Sequence, residues 1–252
     1  MYNFSADSNQ GKVRQVNEDI FAVREDLGLI ILADGMGGRN SGRLAASIAV
    51  ETVLHQLQTI PIADISPDHL LIAVEEANRR VLAKSREHIR HQGMGTTLII
   101  AVMHDNKVIF CHVGDSRGYI LRDGNLKQVT VDHSIVQTLV DAGKISPEEA
   151  LHAPNRNIIT RSIGTEKTVL PDISEHSLSN NDILLLCSDG LSDLVMHDHI
   201  ADILAANTRD LSVATDLLIS AANDAGGTDN ITAVLIQNQN LTVRSRNSRS
   251  PM

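Results

Sequence analysis

The run Ile30-Ile31-Leu32-Ala33 stops abruptly at Asp34, and Gly35, Met36, Gly37 and Gly38 follow. A short apolar run of this kind reads as a buried strand, so a carboxylate stands where the strand leaves the core. The pattern recurs along the chain. Asp115 ends "VIFCHVGD", Asp189 ends "ILLLCSD", Asp229 precedes "NITAVLI", and Asp19, with Glu18 before it, precedes "IFAV". One aspartate at such a place is an ordinary turn former. Several together constrain the fold. If the strands share sheets, their ends gather at one rim, and carboxylates crowded there repel one another and are costly to desolvate. Cations remove that cost, and oxygen-only donors select hard ions such as Mg²⁺ or Mn²⁺. On this reading Asp34 holds metal, and Gly35, lacking a Cβ, clears space for its own carbonyl to approach.

Such a site suits phosphoryl chemistry, in which two metal ions orient a water for in-line attack on phosphorus. The substrate phosphate needs a cation of its own. Arg14, four residues before Glu18, offers a planar fork for its oxygens.

Bulk properties narrow the class. A chain of 252 residues can bury a sizeable core, and 42% hydrophobic content marks it as globular. The net charge of −9 argues against a nucleic-acid surface, which needs a basic footprint. Aromatic residues are 2% and Trp is absent, so a base-stacking platform is not expected either. Cys111 and Cys187 both sit in apolar runs and read as buried thiols. No spacing suits a disulfide framework or a zinc site. The N-terminal "MYNFSADSNQ" lacks a signal pattern, and no run reaches about 18 apolar residues. The expected location is therefore cytoplasmic, away from any membrane.

Periodicity places strands at 20–24 and 27–33 and a helix from Ser41, a candidate N-cap, to Leu57. A second helix is predicted over 68–88 with Leu71, Val74, Val81 and Leu82 toward a core. "TTLIIAVM" and "KVIFCHVGD" read as a hairpin, as does "GYILRDGNLKQV" with its Asp123-Gly124 turn. Residues 133–157, broken by Gly143, Pro147 and Pro154, read as an excursion over the surface. A strand near Thr168–Ile173, the strand "DILLL", helices over 191–206 and 211–223, and the strand "NITAVLIQ" complete the pattern. Hairpin-joined strands imply antiparallel sheets, with the helices covering their outer faces. One domain over 1–238 and a polar tail over 239–252 are expected.

The strings "RQVNED", "ADGMGG", "GTT", "HVGDSR", "DHS", "TRSIG", "LLCSDGL" and "GGTDNIT" occur in that order. Together they resemble the metal-dependent PPM, or PP2C-type, protein serine/threonine phosphatases in their compact bacterial form. The resemblance spans roughly residues 5 to 237. It implies an α+β fold, a four-layer α-β-β-α sandwich with the metal centre at one end of two antiparallel sheets. By position, Asp34 resembles the ligand shared by two core ions, Mn²⁺ or Mg²⁺, and Asp189 and Asp229 resemble ligands of the first. The Gly35 carbonyl and Glu18 resemble the shell of the second. Asp115 matches the acid that, with Asp189, holds a third, weaker ion in bacterial relatives. Arg14 matches the phosphate-binding arginine, so Arg14, Asp34 and Asp189 are the expected catalytic set. Asp19 and Asn230 stand near the centre, and 133–157 matches the variable flap. The implied partners are phosphorylated proteins, a eukaryotic-like serine/threonine kinase and its targets among them, met by a monomer. Two positions depart from patterns seen among relatives. Met36 stands where some relatives carry a histidine general acid, and Ala153, not His152, precedes Pro154 in the flap.

Three other readings compete. Cys111 and Arg117 have the C-x5-R spacing of cysteine-dependent phosphatases, yet Asp115 would sit inside the phosphate cradle and no helix pattern follows. A catalytically silent metal-binding regulatory module would be signalled by loss of a core acid, and Asp34, Asp189 and Asp229 are all present. A metal-dependent nuclease would need a basic groove.

Overall fold

The computed structural model of the chain describes residues 2–37, 41–151, 153–154 and 156–238. The tail over 239–252, Gly38 and His152 lie outside them. The N-terminal segment forms β1 (Tyr2–Asn9), a strand that the sequence pattern did not reveal. Apart from exposed Asp7 its residues are half-buried, and it shows no continuous apolar run. β2 (Ile20–Arg24) and β3 (Leu29–Ala33) form a hairpin around a short 3₁₀ turn closed by Gly28 in the left-handed region. The two-residue β4 (Gly35–Met36) leads toward α1 (Ser41–Leu57) and α2 (Pro67–Glu87). β5 (Gly95–Thr96) pairs with β4, and β6 (Leu98–His104) and β7 (Lys107–Val113) form the predicted hairpin. β8 (Arg117–Arg122) and β9 (Asn125–Gln128) form the next, with positive φ at both Asp123 and Gly124, as a type I′ turn requires.

Residues 133–157 carry α3 (Ile135–Asp141) and α4 (Pro147–Leu151). Then come β10 (Asp172–Ser177), β11 (Ile183–Cys187), α5 (Asp189–Ser192), α6 (His197–Ala206), α7 (Leu211–Asp224) and β12 (Ile231–Asn238). The strands build two five-stranded antiparallel sheets, ordered β1-β12-β11-β8-β9 and β10-β7-β6-β3-β2. Strand alternation then divides the apolar residues into three cores. Leu29, Ile31, Leu98 and Ile100 pack beneath α1 and α2. Ile30, Leu32, Ile99, Leu184, Leu186 and Val234 fill the space between the sheets. Ile183, Leu185, Ile231 and Leu235 pack against α6 and α7. This is the expected four-layer α-β-β-α sandwich. It explains why the central strands read as unbroken apolar runs: both faces are buried. Among the described residues, no helix is long and apolar enough to cross a membrane.

Four local expectations need correction. The strand expected at Thr168–Ile173 begins only at Asp172. The preceding segment is tied to α2 by buried Asn78, whose Oδ1 accepts from Gly164 N (2.7 Å) and whose Nδ2 donates to Glu166 O (3.0 Å). Pro171, with no N–H, could not donate to a ladder there. The helix expected over 191–206 is broken between α5 and α6, where Met196 is extended and Val195 turns into the core. On α2 the core face carries Leu70, Val74 and Val81, while Leu71 and Leu82 are only half-buried. Finally, Ser41 lies inside α1, and its hydroxyl donates to Arg90 O (2.9 Å) instead of capping the helix.

Asn78→Ala is predicted to strand the Gly164 amide and the Glu166 carbonyl, lowering stability by about 1–3 kcal/mol. Denaturant unfolding should show a lower midpoint with an unchanged slope.

Candidate functional site

The antiparallel arrangement brings the strand-end acids to one rim. β3, β7 and β11 end there, while β2 and β12 begin there, because Ile20 pairs with Ala33 and Cys187 with Ala233. Asp19, Asp34, Asp115, Asp189 and Asp229 therefore converge from both sheets.

Each acid is held largely through its backbone or its neighbours. The "GTT" motif pins Asp34. Thr97 N and Thr96 Oγ1 both donate to Asp34 O (2.9 and 2.8 Å), and Asp34 N donates to Thr97 Oγ1 (3.0 Å). Thr97 Oγ1 also lies 2.8 Å from Ser116 Oγ, which couples the Asp34 and Asp115 turns. A Cβ on Gly35 would fall 2.8 Å from Glu18 O and closer still to Gly42 O. Close packing of α1 onto β4 is thus a reason for glycine alongside the one read from the sequence.

Glu18 is half-buried, and its Oε1 accepts from Gly42 N (3.0 Å) and Arg43 N (3.3 Å), so it caps α1. Asn230 clamps the loop that carries Arg14 and Glu18. Its Oδ1 accepts from Glu18 N (2.8 Å), and its Nδ2 donates to Gln10 O (2.9 Å) and Val16 O (3.0 Å). Lys12 N and Val13 N donate to Gly227 O from the same loop (2.7 and 3.2 Å). Arg14 is thereby laid against Asp229, with Nη2 donating to Oδ2 at 2.6 Å. The other Asp229 oxygen accepts from Asn230 N (2.8 Å).

Asp115 is 8% exposed. Beside it Arg117 makes a forked pair with Asp132, at 2.7 to 3.1 Å, and approaches Asp193 at 4.0 Å. The residues at 133–157 join this corner through His133. His133 Nδ1 accepts from Gly114 N (3.1 Å), and its ring stacks on His112 at 4.8 Å. Burial, then the charges of His112 and Arg161, push the His133 imidazole down to about 4. Sequence reasoning did not single out Ser188, Thr232, Thr97, Asp132 or Asp193. All but Asp193 do stand inside the ordered motifs, in "LLCSDGL", "GGTDNIT", "GTT" and "DHS".

The acids raise one another. Burial, and then Asp19, Asp189, Asp229 and Asp115, hold the Asp34 carboxyl well above its usual range. Burial and Asp115, Asp229, Asp193 and Asp19 do the same to Asp189. Asp115 is pushed up to about 7 by burial, Asp132 and Asp193, against the pull of Arg117. Asp19 is raised to about 6, because burial outweighs the hydrogen bonds it accepts from Thr232 and Ser188. Two buried oxygens, Asp19 Oδ1 and Asp189 Oδ1, have no hydrogen-bond donor. A rim of mutually repelling carboxylates with unsatisfied buried oxygens fits a divalent cation bound through oxygen. Among the described residues, no three His, Cys, Asp or Glu side chains form a ready-made cage.

The cysteine reading fails on geometry. Cys111 lies within β7 in the core under α1 and α2, and burial pushes its thiol up to about 12. Arg117 is committed to Asp132. Cys187 sits in the opposite helix-facing core.

Comparison with known proteins agrees with this geometry. The family model described as "Protein phosphatase 2C" matches residues 9–218. The chain is 36% identical over 247 residues to the serine/threonine phosphatase stp of Listeria welshimeri, covering 96% of this chain and 97% of that protein. It is similar to the crystal structure of the Mycobacterium tuberculosis serine/threonine phosphatase PstP/Ppp, with a TM-score of 0.86 at 36% identity, covering 95% of this chain and 99% of that one. A PstP catalytic domain solved with 2 manganese ions matches with a TM-score of 0.85 at 35% identity, covering 95% and 99% of the two chains. With a family match over most of its length and the acids of that family's motifs gathered at one rim, the chain belongs to the protein phosphatase 2C family, the metal-dependent serine/threonine phosphatases.

Proposed function

We propose that the rim aspartates hold divalent cations and that Arg14 receives the substrate phosphate, so that the chain hydrolyses phosphoserine and phosphothreonine on proteins by attack of water. The observation that carries this assignment is the pair of donorless buried oxygens, on Asp19 and Asp189, within a cluster whose members raise one another's proton affinity. When bound, Mn²⁺ or Mg²⁺ supplies Lewis acidity that activates the attacking water and offsets charge developing on the phosphoryl oxygens. Asp34, Asp189 and Asp229 would hold the first ion, and Asp34, the Gly35 carbonyl and Glu18 the second. Asp115 would share a third, weaker ion with Asp189. The Arg14 guanidinium, exposed and paired with Asp229, would present a second edge to phosphate oxygens. Asn230 keeps it there by clamping residues 10–18. The relative solved with manganese supports the choice of ion. The segment at 133–157 would act as a flap that selects the protein substrate, among which a eukaryotic-like serine/threonine kinase is proposed, with the enzyme acting as a cytoplasmic monomer. A silent regulatory module is disfavoured by the likeness to phosphatases over nearly the whole chain.

The direct test is release of phosphate from phosphothreonine peptides with Mn²⁺, Mg²⁺ or EDTA. Asp34→Asn is expected to abolish turnover at all practical Mn²⁺ concentrations, and substantial activity with normal Mn²⁺ affinity would refute its role. Asp115→Asn separates a turn former from a ligand, since Asn serves turns equally well. Turnover should fall at least about tenfold, the cost of ~1.4 kcal/mol of transition-state stabilisation, with near-native melting. Unchanged turnover and metal dependence would return Asp115 to the turn.

A pH test follows from the raised carboxyls. Because the folded state binds these protons more tightly than the unfolded chain, their stabilisation is full at low pH. It is lost as pH climbs from the ordinary aspartate range of about 4 through the raised folded values. Those values are about 6 for Asp19 and about 7 for Asp115, with Asp34 and Asp189 also raised. In EDTA the thermal midpoint should fall more steeply between about pH 5 and about pH 8 for the wild type than for Asp34→Asn. Saturating Mn²⁺ should flatten the wild-type profile, and identical slopes in EDTA would contradict the crowded rim.

A further inference from the structure

Asp19 is 3% exposed, and the protein treats its two oxygens differently. Oδ2 accepts from Thr232 Oγ1 (2.6 Å) and Ser188 Oγ (2.8 Å). Oδ1, equally out of reach of solvent, has no donor. The hydroxyls themselves are oriented from behind. Ser188 Oγ accepts from Thr232 N (3.0 Å), which turns its hydrogen toward Asp19. Thr232 Oγ1 lies 2.7 Å from Ser8 Oγ, and Ser8 Oγ accepts from Asn17 Nδ2 (2.8 Å). A hydroxyl has one hydrogen to give. With the Thr232 hydrogen on Asp19, Ser8 must donate to Thr232, and Asn17 donates to Ser8. The donors therefore run one way, from Asn17 through Ser8 and Thr232, and end on the carboxylate, each link polarising the next. Asn17 Oδ1 closes the arrangement by accepting from Asp19 N (3.1 Å).

A carboxylate kept only for packing would be satisfied at both oxygens. This one accepts two hydroxyl hydrogens on one oxygen and none on the other. We infer that Thr232 and Ser188, backed by Ser8 and Asn17, are positioning residues that fix the Asp19 carboxylate so that Oδ1 faces the cation centre as a free hydrogen-bond acceptor for water held there. The inference rests on the metal-centre reading above. It adds what makes Asp19, itself not an assigned ligand, hold a single orientation beside Asp34.

The test is Mn²⁺ titration calorimetry on the full chain, with phosphothreonine-peptide turnover measured in parallel. Groups that orient a site from behind typically contribute tenfold or more to metal affinity, so Thr232→Val should weaken Mn²⁺ binding about tenfold and Thr232→Ser should restore it to within about twofold. Asp19→Asn should weaken binding at least as much. If Thr232 acts through Asp19, Thr232→Val should add nothing in the Asp19→Asn background, whereas independent structural damage would add. Wild-type Mn²⁺ affinity in Thr232→Val, or additive losses in the double variant, would overturn the positioning role. Should Thr232→Val fail to fold, Ser8→Ala carries the test. It removes the donor behind Thr232 and should weaken Mn²⁺ binding by about threefold or more, and unchanged affinity would overturn the inference. Wild-type protein that binds no Mn²⁺ would sink the metal centre together with this inference. Binding lost in Asp34→Asn but untouched in Thr232→Val and Ser8→Ala would sink the positioning role alone.

Discussion

Like charges crowded at the rim of the sandwich are the constraint around which the rest is built. Burial, and after it the neighbouring acids, raise the Asp34 and Asp189 carboxyls well above the ordinary range. Such a cluster persists only if something stronger than its repulsion holds the chain in place. Here the holding is done chiefly through the main chain. Thr96 and Thr97 grip the backbone of Asp34, and Asn230 grips the backbone on either side of Arg14. Positive charge is kept at the margins, with Arg14 on Asp229 and Arg117 on Asp132. Two buried carboxylate oxygens, Asp19 Oδ1 and Asp189 Oδ1, are left without donors.

The four-layer architecture supplies the rigidity this needs. Every residue of β3, β11 and β12 is buried, so each strand is packed on both faces and its end is fixed to the accuracy of a close-packed core. Acids at the ends of such strands are better placed than acids on loops, because neither strand slip nor rotation is available to relieve their repulsion. The close approach of Gly35 to Gly42 brings the start of α1 onto this rim, and Glu18 meets its free amides. That helix start, favourable to negative charge, lowers the cost of keeping one more carboxylate nearby.

The arrangement also shows how one site combines parts with different tolerances. Asp19, Asp115 and the hydroxyl and amide supports Thr96, Thr97, Ser188, Thr232 and Asn230 are buried, and Asp34, Asp189 and Asp229 are half-buried at the rim. Arg14 stands on a loop and is exposed, where an incoming phosphate can reach it. Residues 133–157 meet the Asp115 corner through His133 and Gly114, so a segment that differs in character from the sheets is still anchored beside the acids.

Much of this was legible in the chain. The unbroken apolar runs announced strands buried on both faces, and aspartates at their ends announced a shared rim, because burial and repulsion act on residue type and position alone. The ordered motifs named the family. What the sequence could not show was partner choice across the fold. Thr232 meets Asp19 across 213 positions and Asn230 meets Glu18 across 212. Glu18 caps a helix whose own Ser41 looked like the cap, and Asn78 holds down a segment that looked like a strand. Hydrogen-bond geometry is set by distance and direction in space, and polar residues carry no periodic signature of where their partners lie. Residue types therefore determined which layers form and which acids are available. Only the packed tertiary structure decided which oxygens are satisfied and which are left bare.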